Sequence, residues 1–349
     1  MLNNLAIGEK IIAEDLLIRR KGIRRFDIIK RVETRGYFFL GDRKYKNVIN
    51  RNMGYLLDAL MRNTTVSLTD ATGATDTGLS ITGRGLTHFI ITLGSGTTSP
   101  TITDNGLASS KIQSIPINYL DVDESQTSQT GIVWASAYSA PASATISEVS
   151  LALALGLGDT AAYLLARSLL STPISLNGGE ERFDGYFIVM SAEFTRWFAR
   201  AIASAFSCSA YGNLPQRKAL NADGTYGVFS TCSNPFTGTL DLRIGSDPAA
   251  PTPTDTDLKS TIGSLNSQNQ TVEVDAGNQE TRIVRTGTIT PTSNLTLNEI
   301  GLFATVNEFS GSWTSTTTKS VLLLRAVYPN PITLSSGVTY TMGVAIVLK

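Results

Sequence analysis

From residue 88 onward, short apolar stretches alternate with clusters of Gly, Pro, Asn, Asp, Ser and Thr. HFIITLG (88–94), SIPINYLDV (114–122), GIVWASAYS (131–139), ISEVSLALA (146–154) and YLLARSLL (163–170) have strand length, and GYFIVM (185–190) closes the series. A second series runs TLDLRIG (239–245), TRIVRTGTI (281–289), LNEIGLFATV (297–306), SVLLLRAVY (320–328) and VTYTMGVAIVL (338–348). Strands so spaced, with no helices between them, predict antiparallel sandwiches and not a parallel α/β sheet. Two stretches have the helical period instead. Ile49, Met53, Leu56, Leu57 and Leu60 line one face of NVINRNMGYLLDALM (47–61), and Phe194, Trp197, Phe198, Ile202 and Phe206 do so in EFTRWFARAIASAF (193–206). Each stripe is expected to pack on a sheet.

The two series are also alike in wording. LGSGTTSPTITDNGL (93–107) and IGSDPAAPTPTDTDL (244–258) share seven of fifteen residues at an offset of 151. TISEVSLAL (145–153) falls on TLNEIGLFA (296–304) at the same offset. Beyond a seven-residue insertion in the NEFSGSW region, LLARSLLSTPISLNGG (164–179) falls on LLLRAVYPNPITLSSG (322–337), and GYFIVM on GVAIVL (343–348). Four matched blocks in one order read as an internal duplication. The expected architecture is mainly β: two tandem antiparallel, jelly-roll-like β-sandwich modules, 47–191 and 192–349, each preceded by one amphipathic helix. The linker at MSAE (190–193) is short enough that the modules should pack closely. Residues 1–46 stand outside the repeat and are too few to bury a core of their own. They are expected to dock on the first module or on a neighbouring subunit.

Composition and charge add a partner to this picture. Charged residues are 17% of the chain, below the usual quarter, and Ser, Thr, Asn and Gly take their place. The formal net charge of zero conceals an asymmetry: residues 1–46 hold twelve Lys/Arg against six Asp/Glu, and the rest hold 17 against 23. A basic head on a slightly acidic body implies that the head has its own partner, with Arg19, Arg20, Lys21, Arg24 and Arg25 as the contacts. Interleaved Glu14, Asp15, Asp27 and Glu33 dilute the field a nucleic-acid backbone would need, so a protein partner is expected. No cleavable signal precedes the cluster. LALALGLGDTAAYLLARSLL (151–170) is long enough for a membrane helix, but Asp159, Arg167 and the repeat divide it into two strands. Cys208 and Cys232 flank a loop rich in Gly, Asn and Ser; without a signal, two free thiols are expected over a disulfide.

Candidate chemistry is sparse. Gly94 and Gly96, at a strand end before a run of hydroxyl residues, have the form of a phosphate-binding loop. The second copy, however, places Asp247 where the first has Gly96, and no Lys follows. A tight turn is the expected role. His88, the one histidine, has neither a GxSxG nucleophile nor metal-ligand spacing to the cysteines. DVDE (121–124) and NADGTYG (221–227) lack the ligand order of an EF-hand and read as solvated turns. Glu148 and Glu299 occupy equivalent positions, but a glycosidase pair must face one cleft. One glutamate per sandwich predicts a buried structural bond in each, with Arg167 and Arg325 as partners. No cofactor or metal is expected. Trp313, in the inserted region, and Tyr226 are the candidate exposed aromatics for a receptor or glycan.

The order YKNVINRNMGYLLDALM, HFIITLGSGTTSPTITDNGL, ATISEVSLAL resembles a module of tailed-phage structural proteins; it closes here in PISLNGGEERFDGYFIVM and, in the second copy, PITLSSGVTYTMGVAIVL. The resemblance covers most of the chain, twice over. Such modules occur in fibre, tail and head-exterior components, usually as symmetric oligomers. The resemblance implies a non-enzymatic virion structural protein assembled in the host cytoplasm, with no membrane or nucleic-acid partner. It would be an exposed tail- or neck-fibre or head-decoration element, trimeric, anchored by its basic head to portal, tail, neck or capsid proteins. The alternatives are a major capsid protein with two sandwiches per chain and a receptor- or glycan-binding module. An enzyme ranks last.

Overall fold

The apolar stretches fold as strands and the two helical-period stretches as helices, in a mainly β molecule. The computed structural model describes residues 16–20, 25–80, 88–107, 111–154, 162–206, 218–229, 234–309 and 316–349. The head carries β1 (Leu16–Arg20), β2 (Arg25–Leu40) and β3 (Arg43–Lys46). The first half follows with β4 (Val48–Ile49), α1 (Arg51–Arg62), β5 (Val66–Thr69), β6 (Thr75–Leu79), β7 (Phe89–Gly94), β8 (Lys111–Pro116), β9 (Tyr119–Asp123), β10 (Thr130–Ser139), β11 (Ala144–Ala154), β12 (Ala162–Leu176) and β13 (Glu181–Met190). The second half has α2 (Arg196–Phe206), β14 (Lys218–Leu220), β15 (Tyr226–Phe229), β16 (Phe236–Gly245), β17 (Thr261–Ser264), β18 (Asn266–Asp275), β19 (Glu280–Ile289), β20 (Leu295–Phe309), β21 (Thr316–Leu334) and β22 (Thr339–Leu348).

One wide sheet crosses the molecule in the order β18-β19-β22-β2-β13-β10-β9; β1 also pairs with residues 26–30 of β2 and β3 with residues 37–40. The head therefore does more than dock on the first half. Residues 34–40 of β2 pair antiparallel with β13, and residues 25–34 pair parallel with β22. The strand orders on either side of β2 correspond, β9-β10-β13 to β18-β19-β22, and β13 and β22 run in opposite directions. A twofold relation about an axis normal to the sheet gives that arrangement. A single strand on such an axis cannot obey the symmetry itself, so it is parallel to one neighbour and antiparallel to the other.

Each half adds a smaller sheet: β4-β12-β11-β7-β8 in the first, and β14-β15-β20-β16-β17 with β21 on β20 in the second. The helices pack across the halves. α1 touches β16, β18 and β19 of the second half as well as β5 and β12; α2 touches β9 and β10 of the first as well as β21. Asn50 caps α1 by accepting the Asn52 N–H at 3.0 Å, and Asn63 ends it in the left-handed region at φ 51°. The α1 C-terminus is fastened by the other half, where Asn234 Nδ2 donates to the Leu60 carbonyl at 2.7 Å. Gly238 lies against the same end; a Cβ there would stand 2.4 Å from the Arg62 carbonyl oxygen. Val32, Phe38, Trp134, Leu57, Phe198 and Ile346 belong to one apolar core that draws on the head and both halves. Burying each such side chain contributes about 1.5–3 kcal/mol, so the halves are held by a common interior.

Candidate functional site

The candidate loop at 93–107 is tied down by a buried ion-pair knot, and the second half builds the same knot. Glu148 on β11 and Arg167 on β12 are neighbours across one strand pair, as are Glu299 on β20 and Arg325 on β21. Arg167 donates from Nε to Glu148 Oε2 (3.0 Å), from Nη1 to Asp104 Oδ2 (2.5 Å) and from Nη2 to the Thr98 carbonyl (2.7 Å). Arg325 donates from Nε to Glu299 Oε2 (2.5 Å), and from Nη1 to Asp255 Oδ2 (3.1 Å) and the Ala250 carbonyl (3.3 Å). Both glutamates and both arginines are buried. The remaining glutamate oxygen takes a backbone N–H: Gly96 to Glu148 Oε1 and Ser260 to Glu299 Oε1, each at 2.9 Å.

Asp104 and Asp255 hold their own turns. Asp104 accepts the Thr101 backbone N–H at 2.9 Å and its hydroxyl at 2.7 Å; Asp255 accepts the same pair from Thr252 at 3.0 and 2.9 Å. Burial alone would raise the Asp255 carboxyl, but the Thr252 hydrogen bonds and the Lys259 ammonium outweigh it and hold it below its ordinary value. The carbonyl of each aspartate is capped from the nearby helix start, by Asn50 Nδ2 at 2.6 Å and by Trp197 Nε1 at 3.0 Å.

This geometry explains the glycines. A Cβ on Gly94 would stand 2.8 Å from Glu148 Oε1, and one on Gly245 would stand 2.4 Å from Glu299 Oε1. The glycine common to both halves makes room for the carboxylate common to both. Asp247, which replaces the second glycine, has its Oδ1 3.7 Å from Arg325 Nη2. In the first half the Gly96 N–H that would cradle a phosphate already serves Glu148. The knot fastens a loop to a sheet; the two glutamates lie in different sheets, each buried in its own knot.

The other predicted residues are dispersed. Arg19 and Arg20 lie on β1, opposite Asp27 and Phe26 of β2, and Arg25 begins β2 opposite Thr339. Lys21, Arg24, Cys208, Cys232 and Trp313 lie outside the described residues. Tyr226 is 73% exposed at the start of β15. Trp134 and Trp197 are buried. His88 precedes β7, half-buried. In DVDE, Asp121 accepts the Tyr119 hydroxyl and Glu124 the Arg200 guanidinium. In NADGTYG, Asp223 accepts from Thr225 and Lys319. Among the described residues no group of three or more His, Cys, Asp or Glu is placed to hold a metal ion, and no helix is long and apolar enough to cross a membrane.

A feature absent from the sequence reading is an open groove of about 530 Å³ between α1 and the β5–β6 hairpin. Arg51, Tyr55 and Arg62 line it from the helix, and Thr65, Ser67, Thr69 and Thr75 from the hairpin. Asp58, at its floor, is engaged by Arg62 and by Gln270 Nε2 at 2.8 Å. Its signal lies in α1 itself, where Arg51, Tyr55 and Arg62 form the polar side opposite the apolar stripe.

No protein-family model matches the chain, and no curated protein does. Among solved structures, the chain was set against 2'-deoxycytidine 5'-triphosphate deaminase from Agrobacterium tumefaciens at 11% identity and a TM-score of 0.13, over 80% of this chain and 87% of that one. Overlap that poor says nothing about fold or activity.

Proposed function

We propose that the protein is a non-enzymatic structural subunit of a virion, an exposed tail- or neck-fibre or head-decoration element held to its particle through the basic head. The observation that supports this reading is the use made of buried charge. In both halves, the arginine and carboxylates that might have formed a reactive centre pin long loops to the sandwiches, giving a rigid body with ordered exterior loops. A shared strand and shared core suit a part that must keep its shape while exposed. The sequence resemblance to phage modules supplies the particle, and the head's excess of basic residues supplies the contact. On this reading the subunit assembles as a symmetric trimer, each interface burying about 1,200–2,000 Å² or more.

Mass spectrometry of purified particles, with subunit stoichiometry, tests the assignment. A few to dozens of copies per particle are expected. Hundreds of copies would replace the fibre or decoration role with a shell role, and absence from the particle would overturn the proposal. Light scattering on the purified chain should give three times the 37.3 kDa subunit mass.

A further inference from the structure

We infer that the groove between α1 and the β5–β6 hairpin is a binding site for an acidic saccharide, with the sugar carboxylate seated on Arg51. The argument begins with the other helix. Arg51 and Arg196 hold the same helix position: the residue before each donates its N–H to the strand behind it (Asn50 to Leu165 at 2.8 Å, Thr195 to Leu323 at 3.0 Å), and each arginine donates its own N–H to the neighbouring loop (Ile102 at 3.2 Å, Pro253 at 2.8 Å). In the second half this position takes a carboxylate. Glu124 receives Arg200 Nε at 2.5 Å and Nη2 at 2.7 Å, with Arg196 Nη1 at 3.6 Å.

The first half keeps the arginine and lacks the acid. Leu120 lies opposite Trp134, and Gln270 opposite Arg285. Counting on four residues in each strand, the counterpart of Glu124 is Val274. Arg51 Nη2 donates at 3.3 Å to Asn105 Oδ1, a neutral acceptor. The counterpart of Arg200 is Tyr55, an aromatic ring on the groove wall. One half thus carries a filled carboxylate seat on this helix face, and the other an open one beside an aromatic ring.

The rest of the groove selects a sugar among carboxylates. Its far wall presents the hydroxyl residues Thr65, Ser67, Thr69 and Thr75, and the Thr69 and Thr75 hydroxyls are 3.3 Å apart. A row of hydroxyls opposite one aromatic ring suits a polyol ring with one apolar face. Its volume of about 530 Å³ lies within the range of small-ligand pockets. The charge balance favours an anion: Arg51 and Arg62 face the single carboxylate Asp58, which Arg62 and Gln270 already satisfy. The site does not depend on the particle assignment; it would stand if the protein were absent from virions.

The test is saturation-transfer NMR and calorimetry on the full chain with D-glucuronate and N-acetylneuraminate, beside D-glucose and N-acetylglucosamine as neutral probes and acetate and sulfate as bare anions. Binding of at least one acidic sugar is expected, at least about tenfold tighter than any neutral sugar or bare anion. Arg51→Gln and Tyr55→Ala should each weaken it at least about tenfold, whereas Tyr226→Ala, on another hairpin, should leave it unchanged. Should an α1 variant fail to fold, Ser67→Tyr, on the exposed hairpin, fills the groove while leaving every helix residue unchanged and should abolish binding. Equal binding of neutral sugars or bare anions, no binding of either acidic sugar, or full binding by the groove variants would overturn the inference.

Discussion

Arg325 is buried to the last atom, yet two carboxylates and a backbone carbonyl surround its guanidinium. A buried ion pair of this kind is costly to desolvate and costly to break from one side. Glu299→Ala or Arg325→Ala alone should each destabilise the chain by about 3–5 kcal/mol, because the partner is left charged in the interior. Replacing both with apolar residues of similar volume should recover most of that loss, read as the coupling in a double-mutant cycle from urea melts. Additive losses would mean that the two residues act independently. Glu308 makes a contrasting case. It is buried on β20 and accepts from Asn221 Nδ2 at 3.1 Å, and its Oε1 has no hydrogen-bond partner among the described residues. Burial pushes its carboxyl above the ordinary value, against a smaller downward pull from Asn221. A carboxyl raised in the folded state binds its proton more tightly there than in the unfolded chain. Its contribution is present at acid pH and is lost as pH rises through the folded value. Glu308→Gln should therefore flatten the fall in melting temperature above the ordinary carboxylate range; an unchanged slope would assign that fall to other groups.

At the scale of elements, β2 joins the halves. Phe38 is fully buried on it, with its ring centroid 4.9 Å from that of Tyr186 on β13. Phe38→Ala should cost about 3–5 kcal/mol, measured by denaturant unfolding, and deleting residues 1–40 should leave the edges of β13 and β22 bare and the product insoluble. The place of β2 was not legible in the sequence. Ile28, Val32, Phe38 and Leu40 enter the core, whereas Arg31 and Glu33 look like surface charges when read alone. Arg31 is in fact bidentate on Glu280 at 2.9 and 3.1 Å, and Glu33 accepts Lys349 Nζ at 2.6 Å. Partners some 250 and 316 positions away leave no local trace. The edge strand β18 leaves no pattern for a different reason: NSQNQTVEVD has few apolar residues because most of its side chains meet solvent. Strands and helices with a strong apolar face were legible, as was the pairing of Glu148 and Glu299 with Arg167 and Arg325, because each motif occurs twice and checks itself.

At the scale of the whole molecule, the halves share too much to unfold separately. The head strand pairs with both, the core is continuous, and each helix presses on strands of the other half. Gln279 of the second half donates from Nε2 to the Ala276 carbonyl of its own turn at 2.5 Å and receives the Ile102 N–H of the first half on Oε1 at 2.9 Å. Two sandwiches joined only by a linker would melt in two steps, each with its own midpoint. A common core predicts one transition, with calorimetric and van't Hoff enthalpies that agree. Isolated 47–191 or 192–349 would expose the α1 or α2 face that the missing half covers, together with an unpaired edge of β13 or β22, so neither should fold when expressed alone. Co-expression of the two fragments with the head attached to the first should restore a soluble complex, because every lost contact is then available in trans. Two resolved transitions in the intact chain, or a soluble fragment with a cooperative melt of its own, would show that the wide sheet is a seam between independent bodies and not the backbone of one.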